Sequence, residues 1–213
     1  MRICLCACQY YQRIPLENLA AVQAACRETQ IPCEILPDLC LTAIREPPKL
    51  DAYDTVLACQ PRVVRTLVGE RSSGIDLRTT PLDDILTALS LPLVKSSAEP
   101  VYEKVDSKWI PWFPVIDAAR CVQCKKCVDF CLFGVYSIEE EKVRVTKPQS
   151  CKTDCPACAR ICPQNAIMFP KSPEDRLNGS LTEQIKPAES DKVSFRERLQ
   201  HRKSLRLFKE DEK

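Results

Sequence analysis

Eight of the fifteen cysteines in this 213-residue chain fall into two runs of nearly the same pattern: Cys121-x2-Cys124-x2-Cys127-x3-Cys131 and Cys151-x3-Cys155-x2-Cys158-x3-Cys162-Pro163. No other feature constrains the fold as sharply, because Cys-x2-Cys spacing lets a short loop turn several thiolates toward one centre. The runs repeat internally. Cys124, Cys127 and Cys131 recur as Cys155, Cys158 and Cys162 at a shift of 31 residues, and Cys121 recurs as Cys151 at a shift of 30. The second run therefore carries one extra residue within Lys152-Thr153-Asp154, and its first loop is expected to be wider. Apolar runs at residues 133–138 and 166–169 follow the two fourth cysteines and predict paired walls around two centres.

Thiolates in this periodicity are the ligands of iron–sulfur cubanes, with the fourth cysteine of each run reaching the other cluster. Two [4Fe-4S] clusters are expected, the first on Cys121, Cys124, Cys127 and Cys162, the second on Cys151, Cys155, Cys158 and Cys131. Zinc is the competing metal, since four thiolates bind it well, but zinc sites rarely need the x2, x2, x3 spacing with an exchanged fourth ligand. A disulfide framework is weaker still. The cysteine count is odd, and the apolar start at residues 3–8 runs into Gln9-Tyr10-Tyr11-Gln12-Arg13 rather than continuing as an export signal. A reducing cytoplasm is the expected setting. With one histidine in the chain, imidazole-rich metal sites are nearly excluded.

Residues 114–170 resemble the two-cluster bacterial-type ferredoxin family, and Ala166-Ile167 after the second run is a familiar companion of that pattern. The resemblance covers roughly a quarter of the chain and implies an α+β ferredoxin-like two-cluster domain at 115–170. Two positions depart from the family. Leu132 stands where a proline usually follows the first run, and the second run opens with x3 instead of x2. Neither departure removes a ligand.

Residues 1–91 read as a separate α/β Cys-rich domain, a small parallel sheet with helices. Strands are expected at 3–8, 33–36, 55–59 and 75–78, and helices at 15–29, 61–68 and 81–91. The helix at 15–29 carries Leu16, Leu19, Val22 and Cys26 at helical spacing, and Pro61 suits a first helical turn. Parallel strands place their C-terminal ends along one sheet edge, where ligand sites gather. Cys6, Cys8 and Cys59 fall on that edge, and Cys40 reaches it if the second strand is parallel to its neighbours. Cys6-x-Cys8, Leu39-Cys40 and Ala58-Cys59-Gln60-Pro61-Arg62 resemble the N-terminal domain of the flavin-binding subunit of heterodisulfide reductase, which implies a third [4Fe-4S] cluster on Cys6, Cys8, Cys40 and Cys59. Gln9 replaces the glycine usual after Cys-x-Cys, and the chain has no room for that family's flavin-binding core. Alternative readings of these thiols are small buried side chains, which is the reading taken for Cys26 and Cys33, and a dithiol–disulfide pair. Cys4 shares a strand face with Cys6 and Cys8 at period two and is the residue most easily confused with them.

Residues 92–114 contain Pro92, Pro100, Pro111 and Pro114 and read as an extended connector, with Trp109, Trp112 and Phe113 covering one of the domains. Residues 171–213 read as a charged tail with a C-terminal helix at 191–208, either a docking element or simply mobile, in which His201 is expected at the surface. Arg62, Arg65, Lys125 and Lys126 are expected to be solvated, though each lies near a cysteine. A formal charge of +2 predicts no nucleic-acid or anionic-membrane partner, and no run approaches the ~20 apolar residues of a membrane span. Only four glycines are present, and no nucleotide-binding loop appears. The expected role is a redox subunit of an oxidoreductase complex, more than a catalyst alone. It would relay single electrons between protein partners such as a flavoprotein, hydrogenase or reductase subunit, in a heterodisulfide-reductase-like or hydrogenase-linked complex. The alternative is a noncatalytic redox-sensing or regulatory protein whose clusters are structural.

Overall fold

The computed structural model describes residues 1–180 apart from 95 and 97. The helix expected at 191–208 and His201 lie outside the described residues. Every strand of the N-terminal sheet is short and parallel to its neighbours, in the order β2-β1-β3-β4: β1 is Ile3–Cys6, β2 Cys33–Leu36, β3 Thr55–Ala58 and β4 Ser72–Asp76. The helices α1 (Leu16–Glu28), α2 (Leu39–Arg45), α3 (Pro61–Val68) and α4 (Leu82–Ala88) alternate with them. Both faces of a parallel sheet are covered by its crossovers, so its central strands are continuous hydrophobic runs. All of β1 is buried, with Leu19, Val22, Leu57 and Ile85 among the residues packed around it.

The strand order reverses between β1 and β3. At such a reversal the chain leaves the two neighbouring strands in opposite directions, opening a crevice beyond their C-terminal ends. Cys8 and Cys59 stand just past those ends. The backbone there is turned sharply, with φ of +50° at Cys8 and +36° at Gln60. That turn ends β1 two residues earlier than its composition predicts and takes Cys8 off the period-two face that Cys4 and Cys6 keep.

A second body is built around the cysteine runs. Its elements are β5 (Val115–Ile116) antiparallel to β8 (Ile167–Met168), a hairpin of β6 (Tyr136–Glu139) and β7 (Lys142–Val145), and two short helices, α5 (Lys126–Phe130) and α6 (Ala157–Ile161). The sequence duplication is visible in the backbone. Each helix carries the third cysteine of its run at its second position and ends on the fourth, and the caps Cys131 (φ −76°, ψ 108°) and Cys162 (φ −70°, ψ 115°) are nearly superposable. Pro163 imposes that extended conformation on Cys162. Cys131 adopts it without a proline, and Leu132 is left 92% exposed.

The connector is pinned along its length to the N-terminal domain. Gln9 donates to and accepts from the backbone of Val105 (2.5 and 2.9 Å), and Gln23 does the same at Val101 (2.9 Å each). Trp112 stacks on Phe169 with centroids 5.3 Å apart, while Phe113 joins Val115 and Met168 from the second body and Cys40 and Val63 from the first in one apolar cluster. The aromatic residues therefore close the seam between both bodies. Residues 171–180, expected to start a polar tail, also belong to the folded seam: Lys171, Ser172, Leu177 and Asn178 are each at most 2% exposed. The helix α7 (Asp175–Asn178) ends at Gly179, whose φ of +92° and closeness to Val63 (2.8 Å to a Cβ placed there) leave no room for a side chain.

Arg62, expected to be solvated, crosses the same seam: its guanidinium donates to the Asp117 carboxylate at 2.7 Å and to the Asn165 carbonyl at 2.6 Å. Arg65 on the same helix is exposed. Replacing Arg62 by Ala removes the nearer of two guanidinium partners of Asp117, leaving Arg120 at 3.7 Å, and should lower stability by about 1–2 kcal/mol. A fall in the urea midpoint with unchanged m would show it; an unmoved midpoint would mean that the bridge contributes nothing.

Candidate iron–sulfur sites

Burial and backbone geometry together decide what the fifteen thiols can do; all are free. In the second body, one wide cleft is lined by Cys131, Cys151, Cys155 and Cys158, together with Lys152, Thr153 and Asp154. A narrower pocket on the other side is lined by Cys121, Cys124, Cys127 and Cys162. Each opening thus gathers three cysteines of one run and the fourth of the other. The inserted residue of the second run lies in the wall of the wider one, where Asp154 takes a left-handed conformation (φ +59°).

The loops around these openings supply donors to sulfur. The Ala166 amide donates to Cys162 Sγ at 3.3 Å, and the Tyr136 hydroxyl donates to Cys158 Sγ at 3.0 Å. In the first loop, Gln123 and Lys125 are left-handed (φ +53° and +61°), and Lys125 runs straight into the helical Lys126. Alternating handedness of this kind directs successive amides toward a shared anion. Lys125 pairs at 3.4 Å with Glu141. Burial pushes the iron-free thiols up, Cys127 and Cys158 to about 11 and Cys151 to about 12.

The N-terminal quartet also converges. Cys6, Cys8, Cys40 and Cys59 are all at most 5% exposed, and the Cys59 thiol lies within hydrogen-bonding reach of Cys8. Cys6 Sγ accepts from the amides of Cys8 and Leu39, both at 3.3 Å. Two charged side chains stand among them. Asp38 caps α2 by accepting from the Leu41 amide at 3.1 Å, and Lys171 Nζ sits 2.5 Å from Asp38 Oδ2 and 3.5 Å from Cys8 Sγ. The Nε2 of Gln60, wholly buried beside Cys59, has no partner among the described residues.

Electrostatics separates the four thiols. The Cys59 hydrogen bond draws Cys8 down to about 6 against the penalty of burial, with help from Lys171, and the same bond with burial drives Cys59 up. Burial raises Cys6, and raises Cys40 to about 12. Burial also disfavours the Lys171 ammonium, but Cys40, Asp38, Cys8 and Cys6 together lift it well above the ordinary lysine range.

Cys4 stays apart from this group, with Glu34, Lys49 and Arg2 as its charged neighbours, while Cys26 and Cys33 face each other between α1 and β2. Neither Asp38 nor Lys171 is marked as a site residue by the sequence. Asp38 carries an N-cap signal before α2, but a lysine 133 positions away carries none. Among the described residues, no three His, Cys, Asp or Glu side chains are drawn together tightly enough to hold a single metal ion. Thiols that hold a cubane attach to separate irons of one cage rather than crowding round one atom. No helix among the described residues is long and apolar enough to cross a membrane.

No family model matches the chain. It is similar to an uncharacterized ferredoxin of Methanocaldococcus jannaschii, with 45% identity over 83 residues, 38% of this chain and 56% of the relative, so the match spans little more than half of that protein. A second uncharacterized ferredoxin of the same organism is 39% identical over 54 residues, 24% of this chain and 86% of the relative. A ferredoxin of Methanothermococcus thermolithotrophicus is 39% identical over 54 residues, 24% of this chain and 88% of the relative.

The Cys8–Cys59 bond has a measurable consequence. A thiol held low ionises early as the pH rises, so in the iron-free chain one thiolate absorbance should develop near pH 6. In Cys59→Ala that step should move upward, toward the ordinary cysteine value of about 8.5. An ultraviolet titration in which both proteins ionise together would contradict the geometry.

Proposed function

Because this chain belongs to the ferredoxin family, and is on that footing an iron–sulfur electron carrier, we propose that it relays single electrons through three [4Fe-4S] clusters toward a protein partner. The observation that carries the reading is the exchange of fourth cysteines between the two openings of the second body. Cys121, Cys124, Cys127 and Cys162 would hold the first cluster, and Cys151, Cys155, Cys158 and Cys131 the second. The donor sets fit: each quartet lines one opening, and amide and hydroxyl hydrogens already point at Cys162 and Cys158. Bound clusters of this kind supply one-electron acceptance and release, at potentials set by hydrogen bonds, charge and exposure. The chain's own part is to hold the thiolates, exclude water with Trp112, Phe169 and Val135, and keep the two openings at fixed separation across α5 and α6.

The N-terminal quartet Cys6, Cys8, Cys40 and Cys59 would hold the third. What supports it is the set of four buried thiols at the strand reversal, the two amides on Cys6, and the buried ammonium and orphaned amide beside them. On this reading the protein would serve as an adaptor between redox proteins, such as a flavoprotein, hydrogenase or reductase subunit, in a heterodisulfide-reductase-like or hydrogenase-linked complex. The ferredoxin relatives support carriage of electrons.

Anaerobic reconstitution with iron and sulfide counts provides the test: about twelve irons for three clusters, about eight if the N-terminal quartet stays empty. Cys131→Ala should remove about four irons and disturb the spectroscopic signature of the Cys151–Cys158 loop, although that loop is intact; Cys162→Ala should do the same to the first loop. Stoichiometric zinc without acid-labile sulfide would sink the proposal.

A further inference from the structure

A residue from the segment that leaves the second body stands among the N-terminal thiols. Past β8 the chain turns back over the sheet edge, and Arg13, in the loop after β1, fixes its path by donating to the carbonyls of Pro170 (3.5 Å), Lys171 (2.7 Å) and Ser172 (2.8 Å). Ser180 Oγ closes the same stretch at 2.8 Å from Gln60 Oε1. Held at the backbone, Lys171 drives its ammonium into the pocket. It meets the Asp38 carboxylate on one side, Cys8 Sγ on another, and the ring of Tyr11 at 5.5 Å. Lys171 is 2% exposed and Asp38 is wholly buried.

A buried ion pair is a poor way to gain stability, since well-packed apolar side chains of the same volume usually do as well or better. Its placement here has another effect. The Asp38 carboxylate is already occupied by the Leu41 amide and by Lys171, whereas the ammonium still has a side turned to the thiols. Positive charge fixed beside a cluster favours the state with the extra electron, and a low-dielectric, solvent-free pocket leaves that charge unscreened.

We propose that Lys171 and Asp38 are the positioning pair that sets the reduction potential of the N-terminal site, with the Lys171 ammonium as its fixed counter-charge delivered by the segment leaving the second body. The inference rests on the reading of Cys6, Cys8, Cys40 and Cys59 as cluster ligands. On it, the two bodies share one site: the N-terminal domain supplies the thiolates, and the chain that exits the other body supplies the charge that favours an added electron there.

The test uses the full chain, reconstituted anaerobically, with iron counts and a redox titration followed by electron paramagnetic resonance. The N-terminal couple is identified as the signal lost in Cys59→Ala. Lys171→Met should lower that couple's reduction equilibrium at least tenfold, about 59 mV for one electron, while leaving the other two couples near their original potentials. Lys171→Arg should hold close to the unaltered protein. Asp38→Asn, which keeps a cap acceptor for α2 but removes the negative charge, should move the couple the opposite way. Loss of about four irons in Lys171→Met but not in Lys171→Arg would also support the charge requirement. Full iron content with an unmoved potential in Lys171→Met overturns the inference alone. Loss of the cluster in both lysine variants, or a shift in the same direction for Lys171→Met and Asp38→Asn, reduces the pair to a structural strap and overturns it too. About eight irons in the unaltered protein overturns the N-terminal cluster itself and this inference with it.

Discussion

An ammonium taken out of water has to be met by an anion within contact, or it loses its proton or its place. In this chain that requirement ties the molecule together. Lys171 lies beyond the last strand of the second body, and its counter-charges, Asp38 and the surrounding thiols, lie at the sheet edge of the first. The return path of residues 169–180 follows from it, and so does the use of Arg13 to clamp three carbonyls in succession and of Gly179 where the chain presses on Val63. Arg62 with Asp117, and Phe113 with Val115 and Met168, complete a seam through which neither body can shift without breaking charged or apolar contacts of the other.

The second body depends on a different economy of parts. Two helices of five residues each are too short to be stable on their own, and the hairpin and the two-residue strands add little more. Its apolar cluster is correspondingly small and includes half-buried cysteines on its margin. A body of this kind gains most from groups that bind across it, and each of its two openings is lined by cysteines of both runs, from the loops around α5 and α6. The tight return of the chain to the N-terminal sheet supplies a second support from outside.

Much of this is legible from residue types alone. Helix α3 begins at Pro61 and runs to Val68 because proline suits a first turn and the valines repeat on one face; α1 follows its apolar spacing to within a residue or two. The hairpin of β6 and β7 gives no such signal, because its turn consists of Glu140 and Glu141, both at positive φ, instead of the Asn-Gly or Asp-Gly pair that announces such a turn. Gln9 stands out in the sequence only as a departure from a glycine, yet it holds the connector at Val105. Lys171 reads as part of a polar tail for a sound local reason: its neighbours Ser172, Pro173, Glu174 and Asp175 are those of an exposed segment, and burial of a lysine has no local signature.

The sequence by itself determined the cysteine arithmetic: two duplicated runs of four, an extra residue in the second, and a quartet of thiols at the ends of apolar segments. These follow from spacing along the chain, and spacing along the chain is sufficient to decide which thiols a short loop can present together. Only the tertiary structure decided what stands next to those thiols. Asp38 and Lys171 are 133 positions apart, Arg62 and Asp117 are 55 apart, and their pairing depends on how two bodies close against one another. Local periodicity records which face of an element is buried; it carries no record of which distant charge will be waiting there.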